Sequence, residues 1–192
     1  MKTIDRRDFV QRALLASAGL TLVPSLAWAE DEPEPAEQPW APPAQNDLKL
    51  KEPLPFPEAD ASVERAKLLV KAIREDNPEI ALPFFFPQDV FRRVKAIKDP
   101  DRYFKRLIRV YNEDIKLMRK GLKKPDEVEF VSFGLGRQKR WVKRGKEGNA
   151  YPYWACYKCP LTVKDNGREK ILPMRVMINW GDQWYVTHLT NK

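Results

Sequence analysis

Hydrophobic residues in the middle of the chain recur at intervals of three and four, the spacing that places them on one face of a helix. Residues 62–75 form the first such segment, whose apolar positions are Val63, Ala66, Leu69, Val70 and Ile73. Asn77-Pro78 ends this segment, because a residue before proline is disfavoured in the helical region. A second, shorter segment of the same kind covers residues 88–97. The pattern predicts two amphipathic helices.

The third helical segment, residues 99–121, has the clearest periodicity in the chain. Asp99 is a good N-cap residue and Pro100 suits the first helical position. Apolar residues then alternate spacings of four and three, and they are Phe104, Ile108, Tyr111, Ile115 and Met118. The segment predicts a helix that buries one continuous seam.

After Pro125 the apolar period changes from the helical value to two, which is typical of strands. Asp165-Asn166-Gly167 predicts a tight hairpin turn, because Asn-Gly tolerates positive φ. Gly181-Asp182 predicts a second turn before the last strand, 184–189. The fold class predicted is α+β, with three N-terminal helices packed on a curved antiparallel sheet of four or more strands.

The final hairpin, Met174 to Val186, with Trp184-Tyr185-Val186 entering the last strand, resembles the nuclear transport factor 2-like superfamily. The resemblance covers residues 61–192 and implies a cone-like α+β fold with a cavity at its mouth. Isomerases of that superfamily use an Asp base and a Tyr donor, but no motif of this chain maps onto those two residues. The resemblance therefore implies a fold and leaves the chemistry open.

The first 29 residues combine a charged start, the apolar run Ala13 to Trp28, and the small-x-small end Ala27-Trp28-Ala29. This combination predicts a secretory signal that is cleaved after Ala29. Arg6-Arg7-Asp8-Phe9 resembles the twin-arginine signals of bacteria, which export folded proteins. We therefore expect an exported protein, periplasmic or extracellular, without a transmembrane span in its mature part.

Residues 30–60 differ in composition from the rest of the chain. Prolines recur along them, and nine acidic residues against two lysines give a net charge of −7, whereas residues 61–192 carry +13. Trp40 and Phe56 are the only large aromatic residues of this segment. Few apolar groups and repeated charge favour an extended, disordered spacer. The organisation predicted is a signal peptide, 1–29, a spacer, 30–60, and one domain, 61–192.

A basic run interrupts the strand pattern after Gly136. Its candidate anion-binding residues are Arg137, Lys139, Arg140, Trp141, Lys143, Arg144 and Lys146. As a twisted hairpin, the run would present a basic face with an indole ring for stacking or cation–π contact. The partners expected for such a face are an anionic membrane surface, an acidic polymer or another envelope protein, and no nucleic acid is expected. A charged edge that only maintains solubility would show the same composition.

Cys156 and Cys159 are the only cysteines. Pro160 stands where a c-type haem site needs His, and the chain lacks the ligands of a structural zinc site or an iron–sulfur cluster. The sequence therefore predicts no metal and no cofactor. In an oxidising compartment the pair predicts a disulfide, with free thiols and a redox site as alternatives. Because residues three apart point to opposite faces of a strand, the bond requires a local distortion.

The candidate catalytic residues are His188, the only histidine, and Asp114 in the third helix. His188 lies in the last strand, so it is either a core histidine or a general base at the mouth of a cavity. The function predicted is a non-catalytic binding or accessory module with a basic surface. The alternative is a small-molecule enzyme of the isomerase or lyase type, which requires a cavity of roughly a few hundred Å³ with an ionisable group at its floor.

Overall fold

The computed structural model describes residues 41–190; the predicted signal peptide and the first part of the predicted spacer, up to Trp40, lie outside these residues. Within them the fold is α+β. The α-helices are α1, Val63–Glu75, α2, Gln88–Val94, and α3, Pro100–Lys120. Short 3₁₀ helices lie at Ala44–Asn46, Asp60–Ser62, Pro78–Phe84, Pro125–Glu127 and Lys146–Gly148.

Five strands form one antiparallel sheet within the described residues. They are β1, Glu129–Phe133, β2, Gln138–Val142, β3, Tyr153–Asp165, β4, Arg168–Trp180, and β5, Gln183–His188. The strand order is β1-β3-β4-β5, and β2 also pairs with β3. β1 pairs with the second half of β3 and β2 with the first half, so these two short strands follow each other along the same edge.

The turns form where the sequence predicts them. Asn166 and Gly167 have φ of 50° and 76° between β3 and β4, and Gly181 has φ of 60° before β5. Beside the Asn166-Gly167 turn, the carboxylate of Asp165 accepts hydrogen bonds from the backbone N–H groups of Lys123 and Lys124. The hairpin is therefore joined to the segment that follows α3.

The buried seam of α3 differs slightly from the predicted one. Leu107 is buried and Ile108 is only half-buried, whereas Phe104, Tyr111, Ile115 and Met118 are buried as expected. The side chain of Asp99 accepts a hydrogen bond from the backbone N–H of Arg102 at 2.9 Å, which confirms the predicted N-cap. The seam packs towards α1, α2 and β5, so the helices and the sheet share one hydrophobic core.

Residues 41–60, which we call the strap, pack on the sheet, whereas the sequence predicted a disordered spacer there. Asn46 is fully buried; its amide nitrogen lies 2.9 Å from the carbonyl oxygen of Pro152, and its Oδ1 accepts a hydrogen bond from Gly181 N–H at 2.8 Å. The indole of Trp184 donates to the carbonyl of Pro57 at 3.0 Å. A few well-placed groups order this segment, and its average composition does not reveal them.

The ring of Phe56 connects the strap to the sheet through aromatic contacts. Its centroid lies 5.4 Å from that of Trp154 and 4.7 Å from that of Trp184. The ammonium of Lys139 lies 3.8 Å from the same centroid. These contacts hold the ring of Phe56 against the sheet.

Candidate functional site

A cavity of about 290 Å³ lies between α2, α3 and one face of the sheet. Phe91, Tyr103 and Leu107 form its helical wall. β3, β4 and β5 supply the opposite wall, with Tyr153, Ala155, Tyr157, Val176, Ile178, Thr187 and His188. Lys95 and Glu147 complete the lining. The cavity is thus apolar over much of its surface and carries a small set of polar groups, the composition typical of ligand sites.

Lys95 reaches the cavity because α2 ends earlier than the sequence predicted. The helix stops at Val94 rather than near residue 97, and Lys95 has extended backbone angles. Its ammonium lies 3.4 Å from the Tyr153 hydroxyl and 3.3 Å from the carbonyl of Glu147, to which it donates. Burial lowers the pKa of Lys95, and the Glu147 carboxylate opposes that shift.

Glu147 lies in a tight turn between β2 and β3. Gly145, Glu147 and Gly148 all have positive φ, and the value of 56° at Glu147 is uncommon for a residue with a side chain. Its carboxylate accepts a hydrogen bond from the Tyr153 hydroxyl at 3.1 Å and forms an ion pair with Arg140. The turn therefore holds one acid among the basic and phenolic groups of the cavity.

Two tyrosines of β3 present their hydroxyls to this network. Arg140 donates to the Tyr157 hydroxyl at 2.9 Å, while Tyr153 contacts both Glu147 and Lys95. Burial raises the pKa of Tyr153, and the neighbouring Glu147 carboxylate raises it further. Tyr153 therefore stays protonated and can act as a hydrogen-bond donor near neutral pH.

His188 lines the cavity, as one of the two interpretations of it required. A register shift between Val176 and Met177 inserts Thr187 as an extra residue in β5, so that both Thr187 and His188 reach the cavity. His188 Nδ1 lies 3.2 Å from the Thr187 hydroxyl. Burial lowers the pKa of His188, and the positive charge of Arg175 lowers it further. The imidazole is thus neutral at pH 7.

Asp114, the other catalytic candidate, does not line the cavity. It is buried in α3, and its carboxylate accepts hydrogen bonds from the backbone N–H of Thr190 at 3.1 Å and from the Thr190 hydroxyl at 2.5 Å. These contacts use both carboxylate oxygens. The structure gives Asp114 the role of anchoring the residues after β5, because its oxygens point to Thr190 and not to open space.

The basic run does not form the single basic face that the sequence analysis considered, because alternate residues of a strand point to opposite sides. Arg140 points towards the cavity network and contacts Tyr157 and Glu147. Lys139 and Trp141 point the other way, against Phe56 and Trp154. The remaining cations of the run, Arg137, Lys143, Arg144 and Lys146, are exposed outside the strand.

Cys156 and Cys159 are buried free thiols. Lys158 between them has φ of 54°, which is the local distortion that an i, i+3 pair in a strand requires. The thiols are hydrogen-bonded to each other, which lowers the pKa of Cys156 and raises that of Cys159. The disulfide thus stays a prediction for oxidising conditions, and in the structure both thiols are free and buried.

Among the polar residues of the cavity, the sequence analysis did not single out Lys95, Glu147, Tyr157 and Thr187. Tyr153 and Tyr157 alternate with Ala155 on one face of β3, so a period-two pattern could have grouped them. Lys95 and Glu147 carry no such signal, because an irregular helix end and a turn place them.

No protein-family model, curated protein or solved structure matches the chain. Within residues 41–190, His, Cys, Asp and Glu side chains nowhere gather in a group of three that could hold a metal ion. Over that same part of the chain, no helix is both long and apolar enough to cross a bilayer. The fold and the site define a class only: an α+β protein with a partly polar cavity between its helices and its sheet.

Proposed function

We propose that the protein binds a small anionic molecule with an apolar body in the cavity between α2, α3 and the sheet. The observation that carries the proposal is the position of Lys95, half-buried in an otherwise largely apolar wall beside the donor hydroxyl of Tyr153. The Lys95 ammonium has three N–H donors and uses two of them, on the Glu147 carbonyl and the Tyr153 hydroxyl. The third is suited to an anionic group, because charge-assisted hydrogen bonds are the strong ones. The aromatic and aliphatic wall suits an apolar remainder.

The charge around the cavity supports an anion over a cation. Arg175, Lys95 and Arg106 all act on His188 and lower its pKa, so their positive potential extends into the cavity. Arg140 adds a fourth cation, although it is paired with Glu147. Asp114 opposes this potential from a position outside the cavity lining. The net field favours an anion and would steer it to the site.

The size of the cavity limits the ligand. Its 290 Å³ is at the lower end of ligand pockets, which span about 300–1,000 Å³. A single-ring aromatic carboxylate is the kind of molecule that fits, with its ring against Phe91, Tyr103 and Leu107. Larger ligands would need the helices to move away from the sheet.

Calorimetric titration of the full chain with benzoate, and with neutral benzamide, tests the proposal. We expect benzoate to bind and benzamide to bind at least tenfold more weakly. Lys95→Met should weaken benzoate binding about tenfold or more, because a hydrogen bond to a charged group contributes about 1.5–3 kcal/mol. Lys98→Met, at an exposed position three residues away, is the matched control and should bind as the wild type does. Equal binding by both variants would overturn the proposal.

A second candidate function is proton transfer on the bound molecule, of the isomerase or lyase type, with His188 as general base. It is favoured by one observation: an imidazole that burial keeps neutral lies in the cavity wall. The test is deuterium exchange into phenylpyruvate. NMR measures the exchange rate with the protein, which is compared with the spontaneous rate. His188→Gln should remove the excess exchange and leave benzoate binding in place. Exchange at the spontaneous rate with the wild type would leave binding as the function.

The remaining parts of the proposal come from sequence. A cone-like arrangement of three helices on a curved sheet, as in the nuclear transport factor 2-like superfamily, would account for a cavity between α3 and the sheet. A signal peptide at residues 1–29 would put this binding function in the periplasm or outside the cell. Mass spectrometry of the exported protein gives the cleavage site and so tests the signal peptide.

A further inference from the structure

The outer face of α3 carries a continuous row of cations. Its members are Arg102, Lys105, Arg106, Arg109, Lys116 and Lys120, and all six are exposed. At 3.6 residues per turn they lie within an arc of about 100°, opposite the buried seam of Phe104, Tyr111 and Ile115. The row is about 27 Å long at 1.5 Å per residue. We call it the α3 stripe.

Among residues 41–190 the stripe is compensated only in part: Lys105 acts on the Asp101 carboxylate and helps to lower its pKa. Among residues 41–190 the ion pairs of α3 are Asp101 with Arg92 and Arg119 with Asp126, and no ion pair includes a member of the stripe. Glu113 is the one acid within the arc. Arg106 also lies over the ring of Tyr103, with its guanidinium carbon 4.8 Å from the centroid. Six cations therefore face outwards with little compensation.

We infer that the α3 stripe is a docking surface for an anionic lipid bilayer. The inference is independent of the ligand proposed for the cavity. A bilayer is a plane that can meet the whole row at once, and its headgroups carry the complementary charge. Adjacent cations of the stripe are separated by three, one, three, seven and four residues. Headgroups diffuse laterally and adapt to such uneven spacing, whereas a polymer with a fixed charge repeat would match only part of it.

The mode of attachment follows from the side chains. The stripe itself contains no apolar residue, and beside it only Leu117 is exposed, with 38% of its surface accessible. Binding would therefore be electrostatic and peripheral, with the aliphatic stems of Lys and Arg lying along the surface. Each cation near an anionic bilayer contributes about fivefold to partitioning at moderate salt.

Co-sedimentation of the full chain with lipid vesicles tests the inference. The anionic vesicles contain one-third phosphatidylglycerol in phosphatidylcholine, and the neutral ones contain phosphatidylcholine alone. Binding is scored as the ratio of the two partition coefficients, so that any contribution of residues 1–29 is the same for every variant. The test variant is Arg102→Gln with Lys105→Gln and Arg109→Gln; Arg106 is left unchanged because it acts on the cavity.

The matched control is Lys143→Gln with Arg144→Gln and Lys146→Gln, which removes the same charge from the turn between β2 and β3. We expect the α3 variant to lose about a hundredfold in the ratio and the turn variant to lose less than tenfold. Wild-type binding should vanish in about 0.5 M NaCl, where charges are screened beyond a few Å. Glutamine is a good helix former, and unchanged circular dichroism would show that α3 is intact.

Three outcomes would overturn the inference. An equal loss in both triple variants would mean that only net charge matters. A ratio near one for the wild type would mean that the stripe does not recognise lipid. A loss of soluble polyglutamate binding in the α3 variant, with vesicle binding unchanged, would reassign the surface to an acidic polymer.

Discussion

Replacing Asn46 with alanine should lower the free energy of unfolding more than any other single substitution in the strap. The side chain is fully buried and joins two separate loops, through the carbonyl of Pro152 and the N–H of Gly181. Alanine removes both hydrogen bonds and leaves both backbone groups without a partner. Two lost bonds of about 1 kcal/mol each, plus about 1–3 kcal/mol for the one group that stays buried without a partner, give about 3–5 kcal/mol.

The assay is urea unfolding of the full chain, followed by tryptophan fluorescence, since Trp154 and Trp184 contact the strap. For a domain of about 150 residues, the same loss lowers the melting temperature by roughly 6–20 °C, at about 2–4 °C per kcal/mol. The neighbouring residue offers a control, because the half-buried side chain of Gln45 makes one long contact, with Asp182 at 3.5 Å. Gln45→Ala should change stability by less than about 0.5 kcal/mol.

Equally small effects of the two substitutions on the free energy of unfolding would refute this reasoning. They would show that the strap does not belong to the cooperatively folded unit, as the disordered spacer predicted from composition requires. A loss with Asn46→Ala alone would show that residues 41–60 fold with the domain.

Three further predictions concern the site and the sheet. Glu147→Gln should tighten benzoate binding about fivefold, measured by calorimetry. The substitution removes the repulsion between two carboxylates a few Å apart, which is about 1 kcal/mol. Hydrogen bonds from two backbone N–H groups after α3 lower the pKa of Asp165 in the folded protein. The carboxylate therefore stabilises the fold above the pKa of about 4 that it has in the unfolded chain, and this contribution is lost as pH falls through its folded-state pKa. The difference in unfolding free energy between the wild type and Asp165→Asn should therefore shrink from pH 5 towards pH 2 in urea titrations, and a constant difference would contradict the assignment. Gly136→Ala should lower the free energy of unfolding by several kcal/mol in thermal unfolding, because its Cβ would lie 1.8 Å from the Tyr157 carbonyl oxygen. The control is Gly134→Ala, whose Cβ would lie 3.6 Å from the Pro160 side chain. It should cost less than about 1 kcal/mol.

The lowered pKa of His188 and the raised pKa of Tyr153 have a joint consequence for the cavity. The Tyr153 hydroxyl keeps its proton and donates it to Glu147, while the neutral imidazole of His188 has one N–H donor and one acceptor nitrogen. Lys95 supplies the positive charge. Such a set can orient a carboxylate without transferring a proton, which is why binding comes before catalysis in our proposal.

The basic residues show how strand geometry redistributes a sequence feature. The run from Arg137 to Lys146 is compact in sequence, yet the alternation of β2 sends Arg140 to the cavity and Lys139 to the strap. The cations of α3 are spread over a longer segment, yet the helix aligns them. Charge density along the chain was therefore a poor guide to charge density on the surface.

Local patterning was sufficient for the elements themselves. Apolar residues at helical spacing predicted α1 and α3, and the period of two with an Asn-Gly turn predicted the β3–β4 hairpin, because these signals depend on neighbours a few residues apart. The same reasoning predicted the α+β class. It also identified His188 as a residue with two possible environments.

Only the tertiary structure decided which of those environments is real. The cavity joins the end of α2, the inner face of β3, a bulge in β5 and a turn at Glu147, and no local pattern brings these segments together. Asp114 was a candidate base until its partner proved to be Thr190, 76 positions away. The packing of the strap also depends on distant residues, since the groups that bind Asn46 lie more than a hundred residues further along the chain. Long-range contacts of this kind depend on how the elements pack, and a hydrophobic period records only which face of each element is buried.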